Sequence, residues 1–321
     1  MKKIHINEII KSVNKRLEEI ILDDLPVLND IKKFVIESGG KRVRPIMLCL
    51  LNNIYNGNSK GALVLAAIVE IIHAASLLHD DVLDEADTRR GKPSGKALFG
   101  SKTVVLAGDY LLACGIKKLN EFNNSQLMSI FTKVIHDLST AELYQMEYEK
   151  NSNITIEIYN KIIYGKTASL FQAACESAAL WCNLKKEEIN KLSILGKEIG
   201  MFFQIRDDYL DYFNPKILKK DPFQDFQRGI YTYPIIKVKN NQKNGINKKI
   251  HKYFLMSDKL RKNKEIQKDF MNLLHENNSK EKTLKDLEKL GESISLRLKN
   301  LPNGISKDLM EEQFKRLLNI N

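Results

Sequence analysis

The chain has 321 residues, and 51 Lys and Arg outweigh 40 Asp and Glu to leave a formal charge of +11. With 43% apolar and 28% charged residues, the composition excludes a wholly disordered chain. Just 16 Gly and 7 Pro argue against a turn-rich β architecture and for long helices.

In chain order, the opening segment MKKIHINEIIKSVNKRLEEI is amphipathic, lacks the apolar core of a secretory signal, and repeats Ile9, Val13, Leu17, Ile20 and Ile21 at helical spacing. Ile31, Phe34 and Val35, then Leu106, Leu111 and Leu112, continue the same period. Breaks are predicted at 38–40, 56–58, 92–95, 123–125 and 214–215, where Gly, Pro, Asn and Ser gather. Segments 62–85 and 191–212 are apolar nearly all round, the pattern of helices enclosed by other helices. Glu70 and His73 make the first of these a core helix in preference to a membrane span. The polar stretch 237–250, rich in Asn and Lys, reads as an exposed loop. Cys49, Cys114, Cys175 and Cys182 form no C-x-x-C pair and read as reduced thiols of a cytoplasmic protein. The reading is one all-α domain over residues 1–321.

Two acidic clusters interrupt this apolar pattern. HDDVLD at 79–84 places Asp80 and Asp84 four apart and Asp81 and Asp84 three apart, with His73 seven before Asp80. QIRDDYLD at 204–211 repeats the device: Gln204, Asp207, Asp208 and Asp211 share one stripe. A lone aspartate pair on a helix is usually a solvated face, but two such clusters on otherwise apolar helices need a neutralising cation. Carboxylates without Cys or clustered His select a hard ion, and Mg²⁺ uses a few carboxylates together with waters and phosphate oxygens. Fixed cations accompany them: Lys41, Arg42 and Arg44 in GGKRVRP, Arg89 and Arg90 after the first cluster, Lys166, followed by Thr167, in GKTASLF, and Lys220 after the second. Arg forks and Lys point charges are the side chains that hold phosphate oxygens.

GGKRVRP at 39–45, HAASLLHDDVLDEADTRRGKPS at 73–94, GKTASLF at 165–171 and FFQIRDDYLDYF at 202–213 together resemble the trans-prenyltransferases, or polyprenyl diphosphate synthases, most nearly their bacterial long-chain, octaprenyl-type members. The resemblance implies a single bundle of long helices around a central apolar cavity, usually as a homodimer. It implies condensation of isopentenyl diphosphate with an allylic diphosphate, using two or three Mg²⁺ ions. By the same resemblance Asp80, Asp84, Asp207, Asp208 and Asp211 are metal ligands, and Asp80, Asp81, Asp84, Asp207, Asp208 and Lys166 carry the catalysis. Lys41, Arg44, His73 and Arg90 match the isopentenyl diphosphate contacts. Arg89, Lys166, Thr167, Gln204 and Lys220 match those to the allylic diphosphate. One departure stands out: the family's D-L-x-E-G-K-x-T-L-P reads DFQRGIYTYP, so Ile230 replaces a lysine and Arg228 a glutamate. Either a neighbouring cation such as Arg228 takes the contact, or turnover is reduced.

Ala75 and Ser76, just before Asp80, are small, so the product's tail is expected to pass them and grow to about octaprenyl, a quinone side-chain precursor. The alternatives are a farnesyl or geranylgeranyl diphosphate synthase and a weakly active subunit of a heteromeric synthase. A terpene cyclase needs no isopentenyl site, which Lys41, Arg44 and Arg90 weigh against. Residues 213–262 hold thirteen Lys and Arg against three Asp, so this one segment carries ten of the eleven net positive charges. Localised charge of this kind argues against a nucleic-acid module. It is expected to form a solvated face, with peripheral contact to the inner membrane surface as the second reading.

Overall fold

The computed structural model describes residues 2–22, 24–37, 40–89, 91–218, 222–239 and 245–318, with side chains from residue 6. Nearly all of them are helical. The elements run α1 (Lys2–Ile20), α2 (Pro26–Glu37), α3 (Val43–Ile54), α4 (Ser59–Leu83), β1 (Thr88–Arg89), β2 (Lys92–Pro93), α5 (Gly95–Phe99), α6 (Ser101–Asn120), α7 (Ser125–Tyr148) and α8 (Ile156–Ile163). A π-helical turn (Tyr164–Ala168) leads into α9 (Ser169–Trp181) and α10 (Lys186–Phe213). Short helices α11 (Pro215–Leu218), α12 (Gln224–Arg228), α13 (Tyr233–Lys239), α14 (Ile246–Phe254) and α15 (Asp258–Arg261) follow. The chain closes with α16 (Lys264–Glu276), α17 (Ser279–Lys299) and α18 (Ile305–Leu318). Of the predicted breaks, 56–58 lies between α3 and α4, and 92–95, 123–125 and 214–215 end on the first residue of α5, α7 and α11; residues 38 and 39 of the remaining one lie outside the described set. Two compact units result: one of Met1–His136, Leu170–Gly196 and Leu298–Phe314, the other of Asp137–Ser169, Lys197–Arg297 and Lys315–Asn321.

In the first unit α4 is the central element, packed by α1, α3 and α6. Asn58 caps it, its side chain accepting from the N–H of Lys60 and Gly61 at 3.0 and 3.3 Å. By length and composition α4 is apolar enough to cross a membrane, yet 67% of its apolar window is buried inside the protein. The core-helix expectation therefore holds. Of the three cations in GGKRVRP, Arg42 turns inward: its backbone is left-handed (φ 48°) and its guanidinium pairs with buried Glu70 of α4. The same group donates to the carbonyls of Val35 and Ile36, both at 3.3 Å, closing the C-terminal turn of α2.

In the second unit an aromatic core forms around Phe226, Phe254, Phe270 and Tyr231, with Phe226 stacked on Phe270 at 4.3 Å and Tyr231 on Phe254 at 3.8 Å. The loop expected over 237–250 is corrected. The helix α13 extends through Lys239 and α14 begins at Ile246, residues 240–244 lying outside the described set. Val238 and Lys239 are buried, and the Lys239 ammonium donates to the carbonyl of Ile154 at 2.6 Å. Arg261 is likewise enclosed, donating to the carbonyls of Gln227 and Phe254 at 3.1 Å each and pairing with Asp258. The basic segment is thus mostly helical, and two of its cations are internal ties where charge counting predicts solvated ones.

Removing one partner of a buried ion pair leaves an uncompensated charge, which costs roughly 3–5 kcal/mol. Arg42→Ala is therefore expected to lower unfolding stability by that order in urea titration. A loss below about 1 kcal/mol, the range of exposed pairs, would refute a tie between α2 and α4 through this residue.

Candidate active site

Each acidic cluster occupies the C-terminal turns of a long buried helix, α4 or α10, and neither helix has a basic residue in its last turn. The helix dipole places negative potential there, so the carboxylates work against it as well as against each other. Protein donors or an added cation must compensate.

On α4 the donors go to one aspartate. Asp81 is buried; its Oδ1 accepts from Arg89 Nε at 2.6 Å and its Oδ2 from the Gly95 N–H at 2.9 Å. Expected in a supporting catalytic role, Asp81 instead ties the β1–β2 hairpin and the start of α5 to α4, and it engages Arg89, the residue matched to the allylic diphosphate. Asp80 and Asp84 are half-exposed, one turn apart, with the Asp84 N–H on the Asp80 carbonyl at 2.8 Å. His73, Ser76, Leu77, Asp80 and Asp84 form one continuous half-exposed stripe. Ala75 is off that stripe and fully enclosed with Ile68, Ile71 and Ile72. The Ser76 hydroxyl donates to the His73 carbonyl at 2.9 Å. Of the two residues expected to border a growing tail, Ser76 has accessible surface and Ala75 none. Lys41 is exposed, and the Arg44 guanidinium lies 4.3 Å from the Phe171 ring centroid. Arg90 lies outside the described residues.

The cluster on α10 is more enclosed. Asp208 is held by three donors: Tyr159 Oη at 2.6 Å and the Tyr233 N–H at 3.1 Å on Oδ2, and Gln204 Nε2 at 2.9 Å on Oδ1. Burial first, and the charge of Asp225 second, raise its pKa to about 7 despite those donors. Asp211 accepts from the Gln224 N–H at 3.3 Å on Oδ1, while Oδ2 is buried and has no hydrogen-bond partner among the described residues. Burial and Asp225 again raise its pKa, to about 8. Asp207 is the most exposed of the three, 3.4 Å from Arg206 Nη1. Sequence reasoning passed over Asp225 as a contributor; it enters through the strap 222–233, where the left-handed Gly229 (φ 85°) reverses the chain. Ile230 donates its N–H to the Asp225 carbonyl at 2.9 Å, and its apolar side chain brings no charge to this strap.

Lys166 and Thr167 sit on the π-helical turn, a rare irregularity that concentrates at functional sites. Gly165 lets that turn approach α7, since a Cβ there would lie 2.4 Å from the Asp137 carbonyl oxygen. The Lys166 ammonium pairs with Glu142 at 2.7 Å, and the Thr167 hydroxyl donates to Gln204 Oε1 at 2.7 Å. Lys220 lies outside the described residues.

The donor set suits a hard divalent ion. All the candidate ligands are carboxylate oxygens, and one of them, Asp211 Oδ2, is buried without a hydrogen-bond partner among the described residues. Among the described residues no three metal-binding side chains converge, so an ion would draw one or two carboxylates here and complete its shell with waters and phosphate oxygens, as Mg²⁺ does.

The comparisons with known proteins agree with this chemistry. The polyprenyl synthetase family model matches residues 25–274, and the chain belongs to that family. It is 31% identical over 236 residues to the octaprenyl diphosphate synthase of Escherichia coli (strain K12), covering 72% of this chain and 73% of that protein. The crystal structure of a decaprenyl diphosphate synthase from Rhodobacter capsulatus superposes with a TM-score of 0.90 at 27% identity, covering 99% of this chain and 97% of the other. A geranylgeranyl pyrophosphate synthetase from Pyrococcus horikoshii Ot3 gives 0.89, also at 27% identity, over 98% and 97% of the two chains. The all-α class read from the sequence is thereby established.

The raised pKa values fix a sign for stability against pH. Folded Asp208 and Asp211 keep their protons to about pH 7 and 8, whereas unfolded aspartate releases them near pH 4. Their contribution is complete below about pH 4 and is lost as pH rises through 7 and 8. In chelator the melting temperature is expected to fall between pH 5 and 8, with a shallower fall in Asp211→Asn. An equal slope in that variant refutes the assignment.

Proposed function

We propose that the chain, read as one synthase domain over residues 1–321, condenses isopentenyl diphosphate with an allylic diphosphate to give a long, octaprenyl-like all-trans product that serves as a quinone side-chain precursor. The observation that carries this reading is the pair of carboxylate clusters at dipole-disfavoured helix ends. Mg²⁺, two or three ions by family resemblance, supplies positive charge to the departing diphosphate when bound.

Asp80 and Asp84 on α4, and Asp207 and Asp211 on α10, are the carboxylates we assign to the ions. Asp208, saturated by donors, orients its neighbours. Lys41, Arg44, His73 and Arg90 are assigned to isopentenyl diphosphate. Arg89, Lys166, Thr167, Gln204 and Lys220 are assigned to the allylic diphosphate, whose leaving oxygens Arg89, Lys166 and Lys220 stabilise as charge accumulates. The Asp81–Arg89 and Glu142–Lys166 pairs pre-orient two of those cations. A short-chain product is the second reading, favoured by the enclosure of Ala75 and by the likeness to a geranylgeranyl pyrophosphate synthetase.

The purified chain is expected to turn over with Mg²⁺ and without a partner subunit. Asp80→Ala is expected to lose at least a thousandfold in kcat, since it removes a ligand of charge developing in the transition state. Radiolabelled isopentenyl diphosphate and reversed-phase chromatography read both rate and product. Ser76→Phe is expected to shorten the product. Ala75→Phe, which overpacks a filled core, is expected to lower stability by about 1–3 kcal/mol with product length unchanged. Shortening by Ala75→Phe alone would reverse that assignment.

We also assign the chain a cytoplasmic location, a homodimeric state and peripheral contact with the inner membrane face. Val105 and Leu106 on α6 are exposed apolar residues that a second copy would cover. Exposed Leu255, the residue that caps the C-terminus of α14, continues the exposed stripe of Lys248 and Lys252 and suits an anionic surface. Sedimentation with and without anionic vesicles at low salt tests both. Twice the 36.9 kDa chain mass in buffer and co-pelleting with vesicles are expected. A monomer, or no co-pelleting, discards the respective assignment.

A further inference from the structure

The family motifs assign no role to residue 159. Tyr159 is buried near the start of α8, where Thr155 caps the helix by accepting from the Ile158 N–H at 3.3 Å. Its hydroxyl makes the shortest of the three contacts to Asp208, at 2.6 Å. Its ring lies 5.5 Å from the ring of Tyr233, whose N–H donates to the same carboxylate oxygen.

The chain of contacts runs further. Gln204 turns its amide nitrogen toward Asp208 Oδ1, at 2.9 Å, and its oxygen away. That oxygen then accepts from the Thr167 hydroxyl. Tyr159 and Thr167, eight residues apart on one helical rod through the π turn, thus clasp two α10 side chains four apart. The series Thr167–Gln204–Asp208–Tyr159 fixes the orientation of Gln204 and Thr167, both matched to the allylic diphosphate. It also fixes the carboxylate between Asp207 and Asp211.

We propose that Tyr159 is a positioning residue: its hydroxyl locks the Asp208 rotamer, and through Asp208 it sets both the metal-binding carboxylates of α10 and the diphosphate-binding amide of Gln204. This rests on the synthase reading given above. Without the hydroxyl, Asp208 is free to rotate, Gln204 loses its enforced amide orientation, and the strap residue Tyr233 shares its acceptor with no side-chain donor. A buried acceptor that loses its closest donor pays a desolvation penalty, so an effect of about tenfold on ion binding is expected.

The test is Tyr159→Phe in the full-length chain. The concentration of Mg²⁺ giving half the maximal thermal shift, measured with inorganic diphosphate and no turnover, is expected to rise about tenfold. The KM for the allylic diphosphate is expected to rise with it, while the KM for isopentenyl diphosphate stays within twofold. In an Asp208→Asn background the same substitution is expected to add nothing, because the group it positions is gone. A merely structural tyrosine would lower the melting temperature without moving the Mg²⁺ midpoint. That result, or additivity in the double variant, overturns the inference. If the unmodified protein shows neither a Mg²⁺-dependent shift nor turnover, the synthase reading fails instead, so the two failures are distinguishable.

Discussion

A carboxylate at the C-terminal end of a buried helix meets three penalties: desolvation, the helix dipole and its like-charged neighbours. The chain accepts these penalties twice, at the ends of α4 and α10, and much of the surrounding structure answers them. Asp81 draws in Arg89 and the Gly95 N–H. Asp208 draws in Tyr159, Gln204 and the Tyr233 N–H. These donors decide how the β1–β2 hairpin sits on α4 and how the strap 222–233 sits on α10.

A division of labour follows within each D-D pair. In both helices the second aspartate is saturated by protein donors and enclosed, while the first is more exposed. The saturated residue stiffens the helix end, and its neighbour is left to meet a cation. The same economy appears among the basic residues. Arg42, Lys239 and Arg261 spend their charge inside the fold on Glu70, the Ile154 carbonyl and helix-terminal carbonyls. Lys41 and the exposed lysines of α14 face solvent.

The strap shows how a motif departure is absorbed. Ile230 leaves its position without the charge usual in the family, yet the backbone of the turn is kept by the positive φ of Gly229 and by two contacts from beneath. The Lys150 N–H donates to the Gly229 carbonyl at 2.9 Å, and Arg261 holds the Gln227 carbonyl. Asp225 therefore keeps its place beside Asp208 and Asp211, and the electrostatic need for a cation at this end of α10 persists.

The sequence by itself determined the all-helical class, the breaks between helices, and the identity of α4 as a core helix. These depend on local periodicity and on Gly, Asn and Pro, whose preferences are set within a few residues. It also determined the two acidic clusters, because spacings of three and four are geometric facts of any helix. It did not tell Asp81 from Asp80, or Ser76 from Ala75, since the helical stripe turned inward is chosen by what packs on it. Nor did it foresee that Lys239 and Arg261 are buried, or that Tyr159 and Asp225 bear on Asp208. Those contacts join residues far apart in the chain, and only the tertiary structure brings them within hydrogen-bonding or electrostatic range.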